Sequence, residues 1–216
     1  MFREFTSNEL LFLIAAARWT VGLTIVAFVG GGILGLGILL LRVSKSRVLS
    51  GLAIGYIQFV QGTPLLGQLF LLYFGLGVVG FRVDPWLAAS VALTVNSSAF
   101  LAEIWRGCVQ SIPRAQWEGS GSLGLSFLQQ IRYVILPQSI RIATPPTVGY
   151  LVQVVKSTSL TSVIGFVELT RAAQIINAAT FRPFLVYLLV GVIYFALCYP
   201  LTLAGRRLEA KFHVAR

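Results

Sequence analysis

Residues 111–137, SIPRAQWEGSGSLGLSFLQQIRYVILP, are flanked by long apolar runs and still carry Arg114, Gln116, Glu118, Gln129, Gln130 and Arg132. Hydrocarbon cannot hold that many charges and amides without a large desolvation cost, so this stretch lies in water while its neighbours do not. The chain is therefore a set of membrane segments joined by an aqueous connector. In the second half of the connector, Ser126 and Gln129 have the spacing of a capping box, and Phe127, Leu128, Ile131 and Ile135 recur on one face. That pattern predicts a short amphipathic helix stopped by Pro137. The first half holds Gly119, Gly121 and Gly124, which predicts a tight turn rather than a helix. A turn leading into a short helix between membrane spans is a docking element.

Composition agrees with this reading. The 216 residues are 56% hydrophobic and 11% charged, with a mean hydropathy of +0.84, which places the chain outside the soluble globular class. The expected fold is an all-α integral membrane protein forming a single transmembrane domain over residues 1–216. The net charge of +10 reports orientation in such a protein rather than nucleic-acid binding. Cys108, Cys198 and His213 have no metal-ligand or redox spacing, so no metal site is expected. The acidic residues Glu4, Glu9, Asp84, Glu103, Glu118, Glu168 and Glu209 are scattered, with no carboxylate pair or nucleophile constellation to support a membrane enzyme. The alternative class is a secondary transporter or channel subunit for small polar solutes. It predicts internal repeats, coupling-ion carboxylates within spans or selectivity rings, and the sequence offers none of them.

Five apolar runs are long enough to cross about 30 Å of hydrocarbon: residues 20–41, 48–79, 86–104, 140–165 and 183–204. Ahead of them, residues 1–19 read as a surface helix, opened by a Thr6–Glu9 capping box and closed at Arg18 and Trp19. Glu9 and Arg18 also interrupt any signal-peptide pattern. The first span carries a G-x-x-x-G pair at Gly31 and Gly35 that permits close helix contact. The second is interrupted by Gln58, Gln61, Gly62, Thr63 and Pro64, for which a structural kink and a polar path are both open readings. The third holds Asn96, Ser97 and Ser98, and ends with Glu103 beside Arg106, a local interface pair. The fourth is broken at Pro145-Pro146 and then runs through Gln153, Lys156, Ser157 and Thr158.

Lys156 is the clearest charge inside a span, which makes it a functional candidate by default. The Lys-Ser-Thr run is not the end of a phosphate-binding loop, because Gln153-Val154-Val155 stands where glycines are required. The candidate polar path is Asn96, Ser97, Gln61, Gln153, Lys156, Ser157 and Thr158. Residues 165–182 read as an external loop, and the chain closes on a basic tail.

The basic residues then sort by side. Arg42, Lys45, Arg47, Arg106, Arg114, Arg132, Arg141, Arg206, Arg207, Lys211 and Arg216 fall on one face; Arg3, Arg18, Arg82, Arg171 and Arg182 fall on the other. The richer face is cytoplasmic. Five spans therefore put the N-terminus outside and both connector and tail inside.

Four segments resemble the permeases of polar amino-acid ABC importers. Glu118, Gly124 and Val134-Ile135-Leu136-Pro137 are spaced like the EAA loop of that family, although Gly119 and Ser120 replace both alanines, Val134 replaces Ile and Ala115 stands where Gly is usual. The glycine lowers helix propensity there by about 1 kcal/mol. Gln61 to Leu66, QGTPLL, is similar to the family's RGTPLL, and AFLAEIWR over 99–106 is similar to AYxAExxR. Lys156 to Leu160, KSTSL, is similar to KDTSL with Ser157 in the Asp position. The resemblance implies a type I permease, multi-pass in the bacterial cytoplasmic (inner) membrane, with a coupling region over 105–141. It further implies a second permease, identical or homologous, a dimer of cytoplasmic ABC ATPases, and a periplasmic or extracellular amino-acid-binding protein. Arg114, Gln116, Glu118, Gly124 and Leu125 are the expected ATPase contacts. ATP and Mg would be bound by the ATPase, leaving this chain non-catalytic and without a cofactor.

Overall fold

The computed structural model describes residues 4–44 and 46–213; Arg3, Lys45 and Arg216 of the charge count lie outside them. Eight helices carry the described chain: α1 Ser7–Arg42, α2 Arg47–Gly62, α3 Leu65–Val78, α4 Pro85–Gln110, α5 Arg114–Ser122, α6 Phe127–Ile164, α7 Leu169–Thr180 and α8 Pro183–His213. The all-helical expectation holds. Three of them, α1, α4 and α8, are individually long and apolar enough to cross a membrane, and the count is five if each of two bent pairs is one crossing. Those pairs are α2 with α3, bent by 99°, and α6 with α7, bent by 49°.

The N-terminal region differs from expectation. The capping box forms, with the Thr6 amide donating to Glu9 Oε2 at 2.8 Å, but the helix it opens runs without a break through Arg18 and Trp19 to Arg42. No separate surface helix ends at residue 19. The reason is packing: Leu13 and Ala16 are buried against Leu169, Ala172 and Val186 of α7 and α8, and Arg18, a good helix former, simply lies over the Trp19 ring at 5.3 Å. Thirty-six residues of helix span about 54 Å.

The glycine pair on α1 meets α4. A Cβ on Gly31 would sit 2.4 Å from Ser97 Cβ, and one on Gly35 would sit 2.9 Å from the Ser98 carbonyl oxygen. Only hydrogen fits at these two points, so the backbones approach closely. One core then forms from Leu23 and Ala27 of α1, Leu69 of α3, Ala88, Ala92 and Leu93 of α4, and Val154 of α6. Of the two open readings of Thr63–Pro64, the kink is seen, as the sharp bend after α2. The Gln68 amide caps that break, donating to the Val60 carbonyl and to Thr63 Oγ1, both at 2.9 Å.

Three further expectations are corrected. Pro137 does not stop the connector helix, because the turn before it, Ile131–Ile135, widens into a π-helix and carries the chain onward. A wider turn relieves the clash between a proline ring and the carbonyl four residues back. Pro145 and Pro146 likewise lie inside the helix. Hydroxyls flank them: Thr144 donates to the Ile140 carbonyl at 2.7 Å and Thr147 to the Ala143 carbonyl at 2.6 Å, reinforcing the ladder on either side of the missing amides. Finally, residues 165–182 are not a loop throughout. Gly165, at φ 85°, ends α6, Glu168 caps α7 through the amides of Thr170 and Arg171 at 2.9 Å each, and α7 buries Leu169, Ala172, Ala173 and Ile176. The basic tail is also helical, as α8 continues through Pro200 to His213.

Candidate functional site

Two regions hold the candidate residues: the connector and the face shared by α6 and α8. In the connector, the predicted turn at residues 119–124 is instead the helix α5, opened by Pro113 and closed by Leu123. The turn follows it. Gly124 adopts φ 76°, its amide reaches the Gly121 carbonyl at 2.9 Å, and the Leu125 amide reaches the Ser120 carbonyl at 3.3 Å. This paired arrangement ends a helix on a left-handed residue, and glycine adopts that conformation without a Cβ penalty.

Tertiary contacts offset the weak helix propensity of Gly119 and Gly121. The Trp117 ring stacks on Phe127 with centroids 6.3 Å apart, Gln130 Nε2 donates to the Leu125 carbonyl at 2.9 Å, and Gln138 Nε2 donates to Gln116 Oε1 at 3.4 Å. The Ser126–Gln129 box forms as expected, with the Ser126 amide on Gln129 Oε1 at 2.8 Å. A rigid helical hairpin results. Its outer surface presents Arg114, Gln116, Glu118 and Gly124 to solvent, with Leu125 half-buried. Beside them stand Leu123, 81% exposed, and Leu128, 76% exposed. Leu123 is absent from the sequence-derived contact set because one leucine in a glycine-rich turn carries no periodic signal.

The candidate polar path divides into two groups. Asn96 and Ser97 sit on α4 against α6, where the Tyr150 hydroxyl donates to Asn96 Oδ1 at 3.5 Å and to Ser97 Oγ at 3.4 Å. Phe100 stacks on the same Tyr150 ring at 5.5 Å. Ser97 is enclosed at the Gly31 contact, so this cluster joins helices within the chain. Gln61 lies on α2, exposed, with Nε2 on the Ala99 carbonyl at 3.4 Å. Glu103 bonds Arg106 one turn along α4, the local pair expected from their spacing.

The second group lies on α6. Gln153 and Lys156 are exposed, Ser157 is half-buried, and Thr158 is fully buried with its hydroxyl on the Val155 carbonyl at 2.8 Å. Pro146, Gly149, Gln153 and Lys156 fall at helical spacing on one exposed face. Lys156 lines a cavity of about 330 Å³ with Tyr194, Cys198, Tyr199, Thr202 and Arg206 of α8. An adjoining cavity of about 390 Å³ shares Thr202 and Arg206 and continues past Pro145, Gly149, Gly205 and Glu209. Together they make one trough along the α6/α8 seam. Tyr194 and Arg206 were not among the sequence candidates: the tyrosine lies in an apolar run and the arginine reads as tail. No group of three or more metal-ligating side chains occurs among the described residues.

A multi-pass helical protein with a trough along one helix seam, lined by apolar side chains together with Lys156 and Arg206, and a polar hairpin between its apolar helices has the build of a transport subunit. The family described as binding-protein-dependent transport system inner membrane component matches residues 27–214, and the chain belongs to that family. It is 38% identical to the probable amino-acid ABC transporter permease protein YckA of Bacillus subtilis, over 93% of this chain and 89% of that protein. It is 36% identical to the glutamine transport system permease protein GlnP of Escherichia coli, over 94% of this chain and 93% of that protein. A crystal structure of an amino acid ABC transporter with histidines superposes with a TM-score of 0.92 at 35% identity, covering 98% of this chain and all of the matched one. The inward-facing MetNI methionine ABC transporter shares the fold, with a TM-score of 0.77 at 21% identity over 96% of this chain and 99% of the matched one.

Proposed function

We propose that this chain is one transmembrane half of an ATP-driven importer of polar amino acids, docking a cytoplasmic ATPase through its α5/α6 hairpin and pairing with a second permease, identical or homologous. The observation that carries the reading is the hairpin itself. A group of apolar side chains displayed together beside charges on a water-facing element marks a contact surface, and Leu123, Phe127 and Leu128 are displayed in this way. ATP and Mg belong to the ATPase, and this chain contributes no chemistry of its own. Closure of the ATPase pair would draw the two hairpins together and favour one arrangement of the spans over the other. A binding protein would deliver substrate from outside.

The trough along α6 and α8 supports the pairing. Gln153 and Lys156 are exposed on the single chain within a bent pair that meets the length and hydropathy of one crossing. Lipid does not accommodate them there, so a second subunit and a water-filled path between the two cover that face. The excess of arginines and lysines on the hairpin and the α8 end orients both toward the cytoplasm, with the N-terminus outside.

Co-purification with the ATPase is the direct test. Glu118→Lys and Leu128→Ser should leave the permease inserted while ATPase association and uptake fall; full substrate-stimulated hydrolysis in both would remove the hairpin from the role. Orientation has its own measurement. A reporter that fluoresces only in the cytoplasm should be bright when fused after Arg216, and one active only outside should work near Asp84; the opposite pattern at either site would overturn the map.

A further inference from the structure

The seam between α6 and α8 carries more information than a path. Resting on the reading of this chain as half of an amino-acid importer, we propose that the α6/α8 cavity selects amino acids by their carboxylates, anionic before neutral, and excludes cationic ones. The cavity of about 330 Å³ falls at the low end of the range for small-molecule sites, roughly 300–1,000 Å³, and two cations line it: Lys156 from α6 and Arg206 from α8. Neither side chain has a carboxylate partner among the described residues.

Among the described residues of this chain, the nearby acids are Glu168 and Glu209. Glu168 stands behind Tyr194 but is fully buried, and it is occupied by the amides of Thr170 and Arg171 at 2.9 Å and by the Tyr194 hydroxyl at 3.0 Å. Glu209 lines the adjoining cavity, beyond Arg206, and not the one that holds Lys156. Position 157, next to Lys156, is a serine that carries no charge.

The chemistry of recognition follows from that inventory. A guanidinium binds a carboxylate through two parallel N–H donors, and an ammonium binds a second one as a point charge. An amino acid with two carboxylates can engage both cations. One with a neutral amide side chain engages one cation with its α-carboxylate. The single α-ammonium needs only neutral acceptors, and Thr202, which lines the cavity, can supply one: its hydroxyl donates to the Cys198 carbonyl at 2.9 Å, and its oxygen keeps acceptor capacity. A cationic side chain would meet Lys156 or Arg206 in a cavity that no carboxylate of this chain lines, Glu209 lying in the adjoining one.

The test uses the purified permease–ATPase assembly in nanodiscs without a binding protein, so that selectivity measured is that of the spans. Equilibrium binding of radiolabelled L-glutamate, L-glutamine and L-arginine should rank in that order, with glutamate favoured over arginine about tenfold or more. Lys156→Gln and Arg206→Gln should each reduce glutamate binding more than glutamine binding and compress the ratio to arginine severalfold. Lys156→Arg should retain it. Ser157→Asp, which places a carboxylate beside the ammonium, should raise arginine relative to glutamate. Equal binding of glutamate and arginine by the wild type, or a preference that survives both charge-removing variants, overturns the proposal. Absence of binding by all three, in an assembly whose complete importer still takes up one of them, also overturns it and leaves the importer reading standing. A complete importer that transports no member of an amino-acid panel removes the importer reading and this inference with it.

Discussion

The connector hairpin and the α6/α8 trough are opposites. One exposes Leu123 and Leu128 on a polar hairpin; the other exposes Gln153 and Lys156 on a helix that, with α7, meets the length and hydropathy of one crossing. Each breaks the rule of its own solvent, and neither is compensated within the chain. By contrast, the α1/α4 contact sets Gly31 on Ser97 and Gly35 on the Ser98 carbonyl, with both serines buried and the two backbones in close approach. The lesson is that departures from local solvation, more than residue type, separate the surfaces that meet other molecules from those that hold the chain together.

The largest effect should come where the rules are kept. Gly31→Ala puts a methyl 2.4 Å from Ser97 Cβ, and overpacking of this kind costs about 1–3 kcal/mol. Thermal unfolding in detergent should fall clearly, with ATPase association lost only in proportion to the unfolded fraction. If the variant is as stable as wild type, α1 and α4 are not held by that contact. Next, Gly124→Leu forces a side chain into a left-handed conformation at φ 76°, for about 1–2 kcal/mol. Stability should drop modestly while ATPase association drops far more, because the turn aims the hairpin.

A smaller change in stability is expected from Leu128→Ser. The side chain is 76% exposed, and surface changes lie within about 0.5 kcal/mol, yet affinity for the ATPase should fall about tenfold, or about 1.4 kcal/mol. Equal losses in stability and affinity would mean the leucine packs within the chain. The smallest effect belongs to Asn96→Ala. Its oxygen accepts only a 3.5 Å bond from Tyr150, so stability should change by less than about 1 kcal/mol, and charge selectivity in transport should not move at all.

Much of this architecture is written in local signals. Both capping boxes, the break at Thr63–Pro64 and the close contact at Gly31 and Gly35 form as their residue types demand. Errors arose wherever a local stop signal met tertiary support. Arg18 and Trp19 look like a boundary, but Leu13 and Ala16 tie the same helix into α7 and α8. Pro137 looks like a terminus, but a single widened turn accommodates it. Gly119 and Gly121 weaken a helix that the Trp117–Phe127 stack and the Gln130 bond to the Leu125 carbonyl tie to the start of α6. The hidden helix α7 illustrates the converse: its polar residues Thr170, Arg171, Gln174 and Asn177 mask an apolar face, Leu169, Ala172, Ala173 and Ile176, that only the contact with α1 and α8 reveals. Among the path candidates, type alone grouped Asn96 with Lys156; the fold separates them, because one accepts from Tyr150 and the other lines the α6/α8 cavity.

The uninterrupted passage of α6 through Pro137 has a mechanical consequence. Phe127 and Lys156 belong to one continuous rod, about 45 Å from end to end at 1.5 Å per residue. If the ATPase docks at the hairpin as proposed, force applied there would need no relay of side chains to reach the trough; it would arrive as rotation of a lever. The widened turn at Ile131–Ile135, where the hydrogen-bond ladder changes pitch, would be its fulcrum. Stiffening the fulcrum would transmit a larger swing to Lys156, and loosening it would dissipate the stroke before it reached the charged seam.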